Sequence, residues 1–292
     1  MPAPPRRAHG ARPVPTPSRR PRRITLQKAR PSRSVAANAT IVAAAFVVSR
    51  VLGLLREILI ARQFGTSGDY DAYVAAFRIP DLLFLVVMSG AFGSAFIPVF
   101  AGFLSRGEQD RAWRLASAVL TYTVLTLLVV GQLVFLFAGP LMRDIVAPGL
   151  APPQQDLAVN ITRLLLLSPL LLGLGAAAQG MLQAQDAFTL PAVAPILYNL
   201  GIIAGALLLA PTMGVYGLAF GVIVGAAGHA GVQFVGLIRR GMHFSPTLSR
   251  RVQGLGEVAR LMAPRLVGQA AFQINFIVMT NFASRLGESK VS

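Results

Sequence analysis

From residue 35 onward the chain is a succession of long apolar segments, and this feature decides most of what it can fold into. Seven are legible, at about 36–62, 71–104, 112–138, 155–185, 189–210, 214–238 and 256–286. Each reaches the roughly 20 residues that cross a hydrocarbon core. In lipid only helices and closed barrels satisfy their own backbone. Apolar runs of this length without strict alternation predict helices. The breaks carry turn residues and charge, as in Gly65-Thr66-Ser67-Gly68-Asp69 and Ser105-Arg106-Gly107-Glu108. The expected fold is all-α, a polytopic transmembrane helix bundle over residues 35–292 with about seven membrane helices.

Charge divides the chain in two. The formal net charge is +16, but residues 1–34 hold ten basic residues, eight prolines and no acid. Such a segment cannot bury enough apolar surface to fold alone, so 1–34 reads as a disordered, basic, Pro/Arg-rich tail. No aromatic residue interleaves its arginines, which argues against nucleic acid and for anionic lipid headgroups. The body carries seventeen basic and eleven acidic side chains. Cysteine is absent, which excludes disulfides, Cys-ligated zinc and thiol nucleophiles. Three scattered histidines offer no metal cluster, so neither a metal nor a cofactor is expected.

Lys and Arg in the loops set the orientation. With the N-terminus in the cytoplasm, Arg106, Arg111, Arg114, Arg239, Arg240, Arg250 and Arg251 fall on the cytoplasmic side, and Arg62, Arg143, Arg285 and Lys290 on the other. The expected location is the cytoplasmic (inner) membrane, multi-pass, N-terminus in.

Charges inside the membrane helices are the informative residues, because they are costly there unless they face a wet interior. The first segment carries Ser49-Arg50-Val51-Leu52-Gly53-Leu54-Leu55-Arg56-Glu57. At about 100° per residue, Arg50 and Glu57 lie roughly 20° apart with Gly53 on the same side, and Arg56 stands at the edge of that arc. In the second segment Asp71 and Arg78 share a face, with Asp81 and Ser89 near it. Two such helices can line a wet, cationic cavity. Arginine grips phosphate bidentately, so Arg50, Arg56 and Arg78, with Glu57, Asp71 and Ser49 beside them, would suit a diphosphate. The same residues can instead pair internally, Arg50 or Arg56 with Glu57 and Arg78 with Asp71 or Asp81; the stripe alone does not separate the two readings. Gly53, Pro80 and Gly90 are the candidate hinge or kink positions. Glycines of the sixth segment, Gly214 to Gly231, recur at spacings of three and four and predict close helix contact. Asn199 could hydrogen-bond between helices.

These residues resemble a family. Ser49-Arg50-Val51-Leu52-Gly53, Arg56-Glu57, Ala61-Arg62, Phe64-Gly65, Asp71-Ala72, Ala75-Ala76-Phe77-Arg78 and Pro80 are similar to the start of the MurJ (MviN) family of lipid II flippases. That family lies in the multidrug/oligosaccharidyl-lipid/polysaccharide exporter superfamily. Gly90-Ala91-Phe92, Ala95-Phe96-Ile97-Pro98-Val99, Ala147-Pro148-Gly149, Phe188 through Pro195 with Asn199, and Pro264 through Gln273 extend the resemblance. It implies a two-lobed transporter of about fourteen helices whose central cavity alternates between the two sides. Arg50 and Arg56 match its cavity arginines, Glu57 and Asp71 its acids, and Arg78 the basic residue before its proline. Two positions depart, Phe84 where the family often has Arg and Ser89 where it often has an acid. The chain ends where an eighth helix would begin, so the expectation is an N-terminal lobe plus one helix of a longer protein.

The implied activity is movement of lipid II, a lipid-linked diphosphate sugar, by alternating access with no covalent chemistry; the protein would not be an enzyme. Membrane lipids are expected partners, and cell-wall synthesis enzymes are compatible ones. Rival readings are a polysaccharide-lipid flippase, a cation-coupled drug exporter, a membrane-bound enzyme and a non-transporting scaffold. The loop acids are isolated apart from Glu108 and Asp110, which disfavours the enzyme.

Overall fold

The computed structural model describes residues 33–88, 95–264 and 268, and every regular element among them is helical. The elements are α1 (Arg33–Phe64), α2 (Gly68–Met88), α3 (Ile97–Ser105), α4 (Gln109–Pro140), α5 (Pro152–Leu165), α6 (Leu167–Gln183), α7 (Thr189–Ala204), α8 (Ala210–Met213) and α9 (Val215–Arg239). Wider turns extend α4 through Leu141–Val146 and join α7 to α8 through Gly205–Leu209. Residues 255–264 are again helical.

Five stretches among the described residues are long and apolar enough to cross a membrane: Ala39–Phe64, Gln109–Val146, Pro152–Gln183, Thr189–Met213 and Val215–Arg239. They coincide with the first, third, fourth, fifth and sixth expected segments. The second appears as α2 and α3, with residues 89–94, and so Gly90, outside the described residues. Most of the seventh segment and residues 1–32 of the tail lie outside them as well. Large apolar side chains point outward, among them Phe46, Leu54, Leu136, Leu208 and Ile238. A surface this apolar belongs in lipid.

Prolines break the expected segments less than their chemistry suggests. A proline has no N–H for the carbonyl four residues before it. Pro80 lies within α2, which continues through it to Met88. The carbonyl it strands, that of Ala76, accepts the buried Thr162 hydroxyl of α5 at 3.3 Å. Pro169 strands the Leu165 carbonyl, which accepts the Ser168 hydroxyl at 2.8 Å. There the helix does part, at Leu166, into α5 and α6.

Two apolar clusters hold opposite ends of the bundle. One gathers Phe96, Phe100, Trp113, Met181 and Leu237; the other gathers Ile60, Tyr73, Met142, Ile161 and Val222. Between α7 and α9, glycines bring backbone against backbone. A Cβ on Gly201 would stand 2.3 Å from the Gly225 Cα, and one on Gly205 2.6 Å from the Gly217 carbonyl oxygen. The glycine spacing of the sixth segment thus serves close contact at Gly217, Gly221 and Gly225. Gly214 instead makes the turn before α9, at φ 58°.

Candidate functional site

α1 meets the bundle chiefly through α7, and the face it presents is not the one the charge stripe suggests. Ser49, Gly53 and Arg56, spaced four and three apart, share the side that touches Asn199 of α7. Arg56 Nη1 donates to Asn199 Oδ1 at 3.2 Å. Asn199 Nδ2 lies 3.2 Å from the Ser49 carbonyl oxygen, 3.4 Å from Ser49 Oγ and 3.1 Å from the Pro195 carbonyl oxygen. The nearest atoms to a Cβ built on Gly53 are those of Asn199, 3.9 Å away, so the glycine faces the same contact. α1 itself is unbroken there.

Beside this contact, α1, α2 and α7 line an open cavity of about 420 Å³. Its polar wall is Arg56, Glu57, Arg78 and Asp81; Tyr70, Tyr73, Phe77 and Tyr198 supply much of the rest. Arg56 is 24% exposed and forms an ion pair with Glu57 through Nη2. Such a partly exposed pair contributes little stability, so its meaning lies in where it holds the guanidinium. Arg78 and Asp81 stand about one turn apart on α2 and face the same space. Asp81 is the acid beside Arg78 on this wall, and the Arg78 charge acts on its carboxyl. A larger groove of about 900 Å³ opens between α4, α9 and the segment after α9. Its wall carries no charged residue.

The structure thus brings together Arg56, Glu57 and Arg78, with Ser49 tied in through Asn199. It does not place Arg50 or Asp71 on this cavity's wall. The Arg50 guanidinium lies 5.3 Å from the centre of the Phe46 ring and is exposed. Asp71 is exposed in the first turn of α2, where a carboxylate suits the helix dipole. Ser67 caps that turn: its hydroxyl accepts from the Tyr70 N–H at 3.3 Å. The aromatic wall was not foreseen in the sequence, although Tyr70, Tyr73 and Phe77 recur at three and four. Their rings run as a ladder, with Tyr70 stacked on Tyr73 and Tyr73 edge-on to Phe77.

Three comparisons bear on what this arrangement belongs to. The family model described as lipid II flippase MurJ matches residues 60–292. The chain belongs to the MurJ family. It is 38% identical over 260 residues to the lipid II flippase MurJ of Burkholderia cenocepacia, covering 84% of this chain and 49% of that protein. It is 31% identical over 250 residues to the probable lipid II flippase MurJ of Buchnera aphidicola subsp. Acyrthosiphon pisum, with the same two shares covered. Among solved structures, a lipid II flippase MurJ in an inward closed conformation superposes with a TM-score of 0.66 at 25% identity, over 82% of this chain and 49% of that one. A transporter of the wider superfamily from Pyrococcus furiosus reaches 0.65 at 16% identity, over 87% and 57%, and so shares the fold. The chain spans about half the length of the MurJ relatives it matches. It is a multi-pass membrane chain with the helical architecture of that family.

Proposed function

We propose that this chain supplies the first-lobe half of a flippase that moves lipid II across the cytoplasmic membrane by alternating access. The observation that carries the reading is the cavity itself: Arg56 of α1 and Arg78 of α2 line one space in a MurJ-family chain. Two arginines fit the two phosphates of a lipid-linked diphosphate, since each guanidinium can make paired N–H···O bonds to one phosphate. Arg50, exposed on α1, extends the cationic surface, and Asp71 stands in the first turn of α2. Alternating access would then change which side the cavity opens to, with no bond made or broken. Gly53 and Pro80 are the candidate bending points of α1 and α2.

Orientation is part of the same reading. One end of the bundle holds the turn around Glu108 and the segment after α9, and with them Arg106, Arg111, Arg240, Arg250 and Arg251. The other end holds Arg62 and Arg143. On this reading the arginine-rich end is the cytoplasmic one. Cell-wall synthesis enzymes would be partners on this reading.

The test is rescue of cells depleted of their own lipid II flippase by the complete reading frame that contains this chain. Rescue is expected from the unaltered protein and is lost in Arg56→Ala, with lipid II no longer reaching the outer leaflet in a labelling assay. Normal rescue and normal labelling in Arg56→Ala would overturn the reading.

A further inference from the structure

Asn199 is a nearly buried amide, 7% exposed, on a helix that is otherwise apolar along this stretch. A buried amide is costly unless its donors and acceptor are used. Here they are, by Arg56 on the oxygen side and by Ser49 and Pro195 on the nitrogen side. The orientation of the amide follows from those neighbours. Reversed, its NH₂ would face a guanidinium that only donates, and its oxygen would face two carbonyls.

The choice of an amide has an electrostatic consequence. Arg56 already meets one carboxylate, Glu57, through Nη2. On its Nη1 side it meets a neutral acceptor, so the guanidinium is held without a second negative charge beside it. The remaining N–H groups of its fork stay available to a ligand. A cation already fixed in place loses less freedom on binding than one that must first be ordered.

We propose that Asn199 is a positioning residue of the anion site: it holds Arg56 toward the cavity as a neutral acceptor and, through Ser49, ties α1 to α7. This rests on Arg56 acting as a diphosphate ligand. Asn199 does not touch the ligand; it acts through Arg56.

The experiment measures binding of undecaprenyl diphosphate to the complete protein in detergent micelles, with thermal unfolding followed alongside. The variants are Arg56→Ala, Asn199→Ala, Asn199→Asp, and each Asn199 variant combined with Glu57→Gln. Asn199→Asp keeps an oxygen at the Arg56 contact and adds a negative charge, so affinity is expected to fall about tenfold, more than in Asn199→Ala. Glu57→Gln restores the local charge and is expected to return binding to within about threefold of the unaltered protein. If Asn199→Asp does not fold, the Asn199→Ala pair decides. Without its neutral tether Arg56 collapses onto Glu57, and Glu57→Gln recovers binding. A merely structural Asn199 predicts losses of affinity that follow losses of thermal stability in both variants, and no recovery with Glu57→Gln; that result overturns the inference. If Arg56→Ala binds as well as the unaltered protein, the diphosphate reading fails and this inference fails with it. If Arg56→Ala loses binding and Glu57→Gln recovers nothing, only the role of Asn199 falls.

Discussion

The Thr162 hydroxyl of α5 donates to the Ala76 carbonyl of α2, the carbonyl that Pro80 leaves without a partner in its own helix. Both groups lie at the contact of two helices, and Thr162 is fully buried. A side chain on one helix therefore completes the backbone of another. Thr162→Val keeps the shape and removes the donor, which strands a buried carbonyl. The expected loss is about 1–3 kcal/mol of stability, and Thr162→Ser should recover most of it. Thermal unfolding in detergent reads both; an unchanged midpoint in Thr162→Val would show that the carbonyl has another partner. Ser168→Ala, at the Leu165 carbonyl, is expected to behave in the same way.

The segment after α9 lies along α4, held by a row of hydrogen bonds. Tyr122 Oη donates to the Leu248 carbonyl at 2.7 Å, and the Ser245 N–H donates to Ser117 Oγ at 3.0 Å. The Thr247 N–H donates to Thr121 Oγ1 at 3.4 Å. Ser117 and Thr121 are four apart on one helix face, so the rungs are in register. Tyr122→Phe removes one rung and should cost about 0.5–1.5 kcal/mol. The sharper readout is faster amide exchange at residues 245–249. Unchanged exchange there would mean that the apolar groove, not the rungs, holds the segment.

Gly201→Ala is expected to be among the most damaging small substitutions, because its Cβ would fall on the Gly225 backbone, which cannot move aside without separating α7 from α9. Overpacking of this kind costs about 1–3 kcal/mol. Gly231→Ala is the control on the other helix of the pair, since nothing lies within 4 Å of its Cβ. Comparable unfolding temperatures for the two variants would contradict the close contact.

Glu108 contributes a pH dependence outside the membrane helices. The Arg111 hydrogen bond, aided by Arg106, holds its carboxyl below the usual carboxylate range. A depressed folded-state value contributes stability that is present above the unfolded-state pKa and lost as pH falls through the folded one. The pair is exposed, so the effect is small. Glu108→Gln should lower the unfolding temperature slightly at pH 7 and not at acid pH below the folded-state value. An equal difference at both would show that the glutamate acts through something other than its charge.

Much of the architecture was legible because lipid imposes a length. Five of the seven expected segments return as helices long and apolar enough to cross a membrane, because a run of apolar residues near 20 long has few other options. Glycines at spacings of three and four predict a packing face, and Gly217, Gly221 and Gly225 form one. Arg56, Glu57 and Arg78 were picked out by charge where charge is expensive, and one cavity holds them. What periodicity could not supply was which arc of α1 turns inward. Ser49, Gly53 and Arg56 meet α7, whereas Arg50, a single residue from Ser49, lies against Phe46.

The amino-acid sequence by itself thus determined the class of fold, five helices able to cross a membrane and the short list of charged residues, because each follows from composition along a single helix. Only the tertiary structure decided which partners those residues have. Asn199 and Arg56 are 143 positions apart, and Thr162 and Ala76 are 86 apart. No local pattern encodes such pairs. They exist because packing brings one helix's unsatisfied polar groups against another's, in an environment without water to take their place.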